Sequence, residues 1–156
     1  MPRRGRIIKR KIVPEMIYNS TLVHKFINRI MLKGKKTQAE RIVYGALEEL
    51  QKKTGQDALV VFSKAIDNIT PYLEVKPRRV GGATYQVPIE VPKERGQALA
   101  MKWLREVTRA RKGKAMVDKM AEELLEAFNN RGSTVKKREE LHKVAESNKA
   151  FAHFRW

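Results

Sequence analysis

Residues 75–91 read VKPRRVGGATYQVPIEV, and this stretch decides the fold, because two extended runs meet here at a Gly-Gly pair inside a chain otherwise patterned as charged amphipathic helix. Gly81 and Gly82 suit a two-residue hairpin loop, whose primed turn needs positive φ at its central positions. Val80 then faces Ala83. Counting back sets Arg78 against Tyr85, Lys76 against Val87 and Val75 against Pro88, alternating between hydrogen-bonded and non-bonded pairs. Pro77 and Pro88 both fall at non-bonded positions, where a backbone N–H would point away from the partner strand. The prolines leave the hairpin ladder whole and spoil both outer edges for a third strand.

A two-stranded ribbon is thus predicted over residues 72–91, standing alone at both edges. Such a hairpin is marginally stable in water, so its base must pack on helices or its tip must be ordered by a partner. One reading is an aggregation-proofed loop with solvated arginines. The other is a basic finger, with Lys76, Arg78 and Arg79 for phosphates and Tyr85 to stack on a base or sugar.

Outward from the ribbon the pattern is helical. Leu22, Val23, Phe26, Ile27, Ile30 and Met31 recur at spacings of three and four from about Ser20, with Gly34 as a left-handed stop. The TQAE stretch predicts a second helix with Thr37 as N-cap, Glu40 closing a capping box, and Ile42, Val43, Ala46, Leu47 and Leu50 as its apolar stripe. Gly55 ends it. A third helix runs from about Asp57 to Ile69, burying Leu59, Phe62, Ile66 and Ile69 before Thr70-Pro71 halts it. Pro92 fits the first turn of a fourth, with Leu99, Trp103, Leu104 and Val107 inward. The fifth carries Met116, Val117, Met120, Leu124, Leu125 and Phe128, and the sixth, after Ser133 or Thr134, turns Leu141, Val144 and Ala145 inward. The expected fold is mainly α: a single domain over 1–156 of about six helices, with a protruding two-stranded β-hairpin and an extended basic N-terminal arm over 1–14.

Charge points to the partner. The 156 residues hold 34 Lys and Arg against 17 Asp and Glu, a net of +17. Such an excess repels itself when folded, so it fits a polyanion, nucleic acid or an anionic membrane, better than it fits stability. The arm carries Arg3, Arg4, Arg6, Lys9, Arg10 and Lys11 with no acid, and residues 93–114 carry Lys93, Arg95, Lys102, Arg105, Arg109, Arg111, Lys112 and Lys114 against Glu94 and Glu106. Lys33, Lys35 and Lys36 surround Gly34, and Arg131, Lys136, Lys137 and Arg138 surround Gly132. The fifth helix is acidic at Asp118, Glu122, Glu123 and Glu126, read here as a solvated face. A polarised surface docks in one orientation. Part of this charge has a duller cause, since Arg109 and Arg111 complement a helix C-terminus.

Other chemistry finds little support. There is no cysteine, which removes disulfides and thiolate sites and suits a reducing compartment. No window approaches the roughly 18 apolar residues of a membrane span. His24, His142 and His153 lack a metal-ligand spacing, and GKKT at 34–37 lacks the order of a phosphate-binding loop. The expectation is a cytoplasmic, soluble, non-enzymatic protein without a cofactor or metal. At the C-terminus, FAHFRW offers Phe151, Phe154 and Trp156 either to seal the core or to stack on bases.

RRVGGATYQVPIEV, followed by ALAMKWL, GSTVKKRE and AESNKAFAHFRW, resembles bacterial small-subunit ribosomal protein seven, and the likeness covers essentially the whole chain, including the MPRR start. The resemblance implies a helical domain with a protruding hairpin that binds the 3′ major domain of 16S rRNA, helps nucleate assembly of the subunit head, and faces the exit-site tRNA and the mRNA path. It also implies small-subunit proteins nine and eleven as neighbours, a monomer off the ribosome, and in some bacteria feedback repression through messenger binding. Carried onto this chain, the arm and the KGKK, KPRR and VKKRE segments become rRNA contacts, while Gly81, Gly82, Ala83, Thr84 and Tyr85 face tRNA and mRNA.

Overall fold

The computed structural model describes residues 12–154. Their order is α1 (Thr21–Ile30), α2 (Lys36–Thr54), α3 (Ala58–Ile69), β1 (Leu73–Val80), β2 (Ala83–Glu90), α4 (Lys93–Ala110), α5 (Met116–Phe128), α6 (Ser133–Ser147) and a 3₁₀ helix, Lys149–Phe154. The fold is mainly α with one hairpin, as the patterning predicts. The basic residues Arg3, Arg4, Arg6, Lys9, Arg10 and Lys11 lie outside the described residues, as do Arg155 and Trp156.

Local chemistry sets most helix ends. The Ser20 hydroxyl accepts from the Val23 N–H at 3.5 Å, and Asp57 accepts from Leu59 N–H at 3.1 Å, so each occupies an orphan donor of a first turn. Gly55 closes α2 at φ 65°. The expected capping box is not there. Lys33 and Gly34 take φ of 51° and 74°, turning the chain so that α2 starts at Lys36 with Lys35 in the N-cap position. Thr37 is therefore already inside the helix, and Glu40 sits 3.8 Å from the Lys36 ammonium instead. Pro92 likewise stands at the N-cap of α4, one residue before its first turn.

Helix α5 lies at the centre, packed by α2, α3, α4 and α6. Phe26 and Phe62 meet with ring centroids 5.3 Å apart, and Leu47, Leu50, Ile66, Leu104, Met120 and Leu124 fill the space around them. Two stripes differ from the prediction. Val144 is 46% exposed while Val135 and Ala145 take the inward side of α6, and on α3 Val61 and Ala65 are buried more deeply than Leu59. Asn68 ties α3 to α5 by donating to the carbonyls of Ala127 at 2.9 Å and Phe128 at 3.1 Å, at the end of α5 where carbonyls lack helical partners.

Where α3 gives way to the ribbon, α4 passes so close that only glycine fits. A Cβ on Gly96 would lie 2.8 Å from Thr70 Cγ2 and 3.0 Å from the Pro71 carbonyl oxygen. The carbonyl belongs to the backbone and cannot rotate away. Gly96→Ala is expected to cost about 1–3 kcal/mol, the usual range for overpacking, despite alanine's better helix propensity. Urea denaturation checks this; an unchanged or raised midpoint would show that the Thr70-Pro71 corner yields.

The ribbon has the predicted register. Its eight pairs run from Leu73 opposite Glu90 to Val80 opposite Ala83, and include Val75 with Pro88, Lys76 with Val87 and Arg78 with Tyr85. Gly81 and Gly82 hold φ of 57° and 88°, the doubly positive turn that matches strand twist. The sheet has two strands. Opposed side chains share a face, so Glu74, Lys76 and Arg78 lie with Tyr85, Val87 and Ile89, while Val75, Pro77 and Arg79 lie with Thr84, Gln86 and Pro88. The first face leans on the body: Val87 is fully buried and Glu74 only 8% exposed. The ribbon is unpaired at its edges but anchored through one face.

Candidate nucleic-acid interface

The ribbon's base is fixed by charge as well as packing. Arg95 Nε, from the first turn of α4, donates to Glu74 at 2.8 Å, and Lys76 Nζ lies 3.3 Å from the same carboxylate. Burial works to raise the Glu74 carboxyl, yet these two cations hold it below the ordinary carboxylate range. On the α6 side, the Tyr72 N–H donates to His142 Nε2 at 3.3 Å with the two rings 4.0 Å apart. Burial, then the nearby Arg138 charge, lowers His142, which favours the neutral ring able to accept that bond.

Toward the tip, the open face presents Arg79, Thr84 and Gln86, all exposed, with Gly81, Gly82 and Ala83 at the bend. Tyr85 also has partners within the protein. Its ring packs against Phe151 at 4.9 Å and Phe154 at 5.5 Å and stays half-buried. Phe151 and Phe154 thus pack on the ribbon and not in the core, and no residue of the 3₁₀ helix is buried.

The junctions between helices carry further cations. Lys33, Lys35 and Lys36 are exposed where α2 begins, and Lys112 and Lys114 are exposed where α5 begins. Neither helix has a side-chain cap. Lysines thus flank in sequence two helix starts without a side-chain acceptor, where phosphate oxygens can bind, although Lys36 and Lys114 are drawn toward Glu40 and Glu122. Arg131, Lys136 and Lys137 are exposed around Gly132, and Lys137 lies 3.8 Å from Glu106.

A groove of about 770 Å³ runs between α1 and α4, lined among others by Lys25, Asn28, Arg29, Gln97 and Arg105. Among the described residues the buried Arg105 Nε has no hydrogen-bond partner, a costly state for a polar donor, while an Nη of the same guanidinium lies 3.9 Å from Glu106. Next to it, Arg109 donates to the Ile30 carbonyl at 2.8 Å and closes the end of α1. Burial, then the Arg105 charge, pushes the Arg109 guanidinium below its usual value. Sequence reasoning missed Lys25 and Arg29 as site residues. Their spacing of four, off the apolar stripe of α1, was the available signal.

Several cations are instead engaged by protein groups. The Arg111 guanidinium contacts Glu123, Glu126 at 2.7 Å and Glu122 at 3.9 Å, while Lys114 pairs with Glu122. Arg138 donates to the Asn68 carbonyl. The acids of α5 are therefore no simple solvated face. Glu123 is completely buried, and the trio draws the end of the 93–114 run onto the body.

Among the described residues no helix is long and apolar enough to cross a membrane, and no group of three or more His, Cys, Asp or Glu is placed to hold a metal ion. The model of the family described as ribosomal protein S7p/S5e matches residues 2–149. The chain belongs to that family. Relatives named small ribosomal subunit protein uS7 align along their full length and all of this chain, at 59% identity in Dictyoglomus thermophilum, 57% in Clostridioides difficile and 56% in Oleidesulfovibrio alaskensis. In this S7p/S5e protein the ribbon, the α1–α4 groove and the basic junctions all fall within the matched segment, whereas Phe151 and Phe154 lie beyond it. Of the cations singled out from sequence, Lys33, Lys35, Lys36, Lys76, Arg79, Arg95, Arg109, Lys112, Lys114, Lys136 and Lys137 are among those exposed. Lys36, Lys76, Arg95, Arg109, Arg111, Lys114, Lys137 and Arg138 have protein partners that any RNA would share or displace.

Proposed function

We propose that this ribosomal protein is a structural constituent of the small subunit that binds the 3′ major domain of 16S rRNA and nucleates assembly of the subunit head. Its site is the α1–α4 groove with the basic junctions and arm; the ribbon tip, Gly81 to Tyr85, faces exit-site tRNA and mRNA. Small-subunit proteins nine and eleven are its neighbours, and it works in the cytoplasm, without a catalytic step, and is a monomer off the ribosome. The observation that carries the reading is the α1–α4 groove, whose lining brings together the cations Lys25, Arg29 and Arg105. A groove of that sign focuses field lines on a polyanion, and its hydrogen-bond donors match phosphate better than any apolar partner.

Sequencing the RNA that crosslinks to the protein in cells tests this. The expected result is a dominant set of sites within the 3′ major domain of 16S rRNA, together with tRNA or mRNA crosslinks through the ribbon. A profile dominated by a messenger leader would make the protein a translational repressor first, and equal recovery of DNA would make it an architectural nucleic-acid binder.

A further inference from the structure

We propose that the C-terminal 3₁₀ helix, Lys149–Phe154, is a clasp that fixes the orientation of the ribbon and so determines which of its faces a nucleic-acid partner meets. The proposal deepens the RNA-binding reading and rests on it for its functional half. A hairpin of two strands has no sheet to stiffen it, and both of this one's edges are blocked by proline, so its direction must be imposed from outside. Near the body that is done by Val87 in the core, by Glu74 with Arg95, and by Tyr72 against His142. Nearer the tip it falls to Tyr85, whose ring meets Phe151 at 4.9 Å and Phe154 at 5.5 Å. His153 Nδ1 lies 2.9 Å from the Ala150 carbonyl and its ring meets Phe154 at 4.0 Å, tilted by 44°, so the turn that carries both phenylalanines is itself braced.

The register makes this contact one-sided. Tyr85 shares its face with Arg78, and that face is the clasped one; Arg79 projects with Thr84 and Gln86 from the other. The clasp thus spends one face of the ribbon on the protein and leaves Arg79 on the face open to phosphate. An aromatic with two torsions loses little entropy when held, so three such rings make a stiff joint. If release leaves the ribbon in its binding orientation about one tenth of the time, apparent affinity through the ribbon drops about tenfold.

The chain has no cysteine, so spin labels at Ala83→Cys on the ribbon and Gln51→Cys on α2 report one distance by electron double resonance. The expected result is a narrow distance distribution in the otherwise unaltered chain, a broad one with Phe151→Ala and Phe154→Ala, and a narrow one again with Phe151→Tyr and Phe154→Tyr. In unlabelled protein, the double alanine variant should bind a transcript of the 16S 3′ major domain about 5–10-fold more weakly, and adding Arg79→Ala should cost less than it does in the parent. A distribution that stays narrow without the phenylalanines overturns the clasp. One that broadens while RNA affinity holds overturns its role in recognition. If the parent chain binds no such transcript, the RNA reading fails, and the distance distributions still decide whether the clasp exists.

Discussion

Between 50 and 200 mM salt, the affinity of the full chain for a transcript of the 16S 3′ major domain is expected to fall by about 10³–10⁵-fold, the scale for roughly six to ten neutralised phosphates. The count comes from geometry and not from net charge. Lys33, Lys35, Arg79, Lys112, Arg131 and Lys136 are exposed, and Lys25, Arg29 and Arg105 line the groove. Arg111 and Lys114 are excluded, because each already lies within hydrogen-bond reach of a glutamate, whereas Arg105 is 3.9 Å from Glu106. The expectation is therefore residue-specific. Replacing Lys33 and Lys35 by alanine should flatten the logarithmic salt slope by about one unit each, with little effect on folding. Replacing Lys114 should leave the slope unchanged. Filter binding across a salt series supplies the measurement, and a slope near zero for the parent chain would remove electrostatics as the basis of capture.

The contrast between Lys33 and Lys114 shows where sequence reading stops. Both are lysines beside a glycine at a helix junction, and the sequence treats them alike. The ribbon was legible to the individual pair because its determinants are local: two glycines fix the turn, and a period of two fixes every partner from there. Helix stripes were legible for the same reason, with errors such as Val144 where the side of a helix that faces the body depends on distant neighbours. The Thr37 cap failed because Lys33 and Gly34 took positive φ and started the helix early, a choice that competing turn residues leave open. Arg111, Glu123 and Tyr85 have contacts that the sequence did not show, for a deeper reason. Each is defined by a partner remote in sequence: Arg111 by α5, Tyr85 by the C-terminal turn, Arg105 by a groove that exists only once α1 lies beside α4. Charge counts describe what a chain carries, but only packing says which of those charges remain outside.

Glu123→Ala is expected to be the most destabilising single change of a charged residue in the described chain. The side chain is fully buried, and its Oε1 accepts from both the N–H and the hydroxyl of Thr134, at 2.8 and 2.5 Å, while Oε2 meets the Arg111 guanidinium. One carboxylate thus joins the end of α4, the middle of α5 and the first turn of α6, whose N-cap, Gly132, supplies no side chain of its own. Gly132 is required there: it holds φ at 95°, and a Cβ would come within 2.9 Å of Glu126 Oε2 and 3.1 Å of Glu123 Oε1. Removing the carboxylate leaves the Thr134 donors buried without an acceptor and Arg111 without its innermost partner. Deleting one member of a buried pair costs about 3–5 kcal/mol; the low end applies, since the Arg111 side chain is 26% exposed and keeps Glu122 and Glu126. About 3 kcal/mol is a large share of the roughly 5–15 kcal/mol that holds a domain together, and for this length it lowers Tm by about 6–12 °C. Glu123→Gln retains an oxygen for Thr134 but can turn an amide donor toward Arg111, so about half the loss is expected. In a double-mutant cycle with Arg111→Ala, the two losses should fall short of additivity by about 1–3 kcal/mol, because the second deletion removes the group the first left stranded. Strict additivity would mean that Arg111 and Glu123 are merely neighbours, and that the basic run of α4 is held to the body by something else.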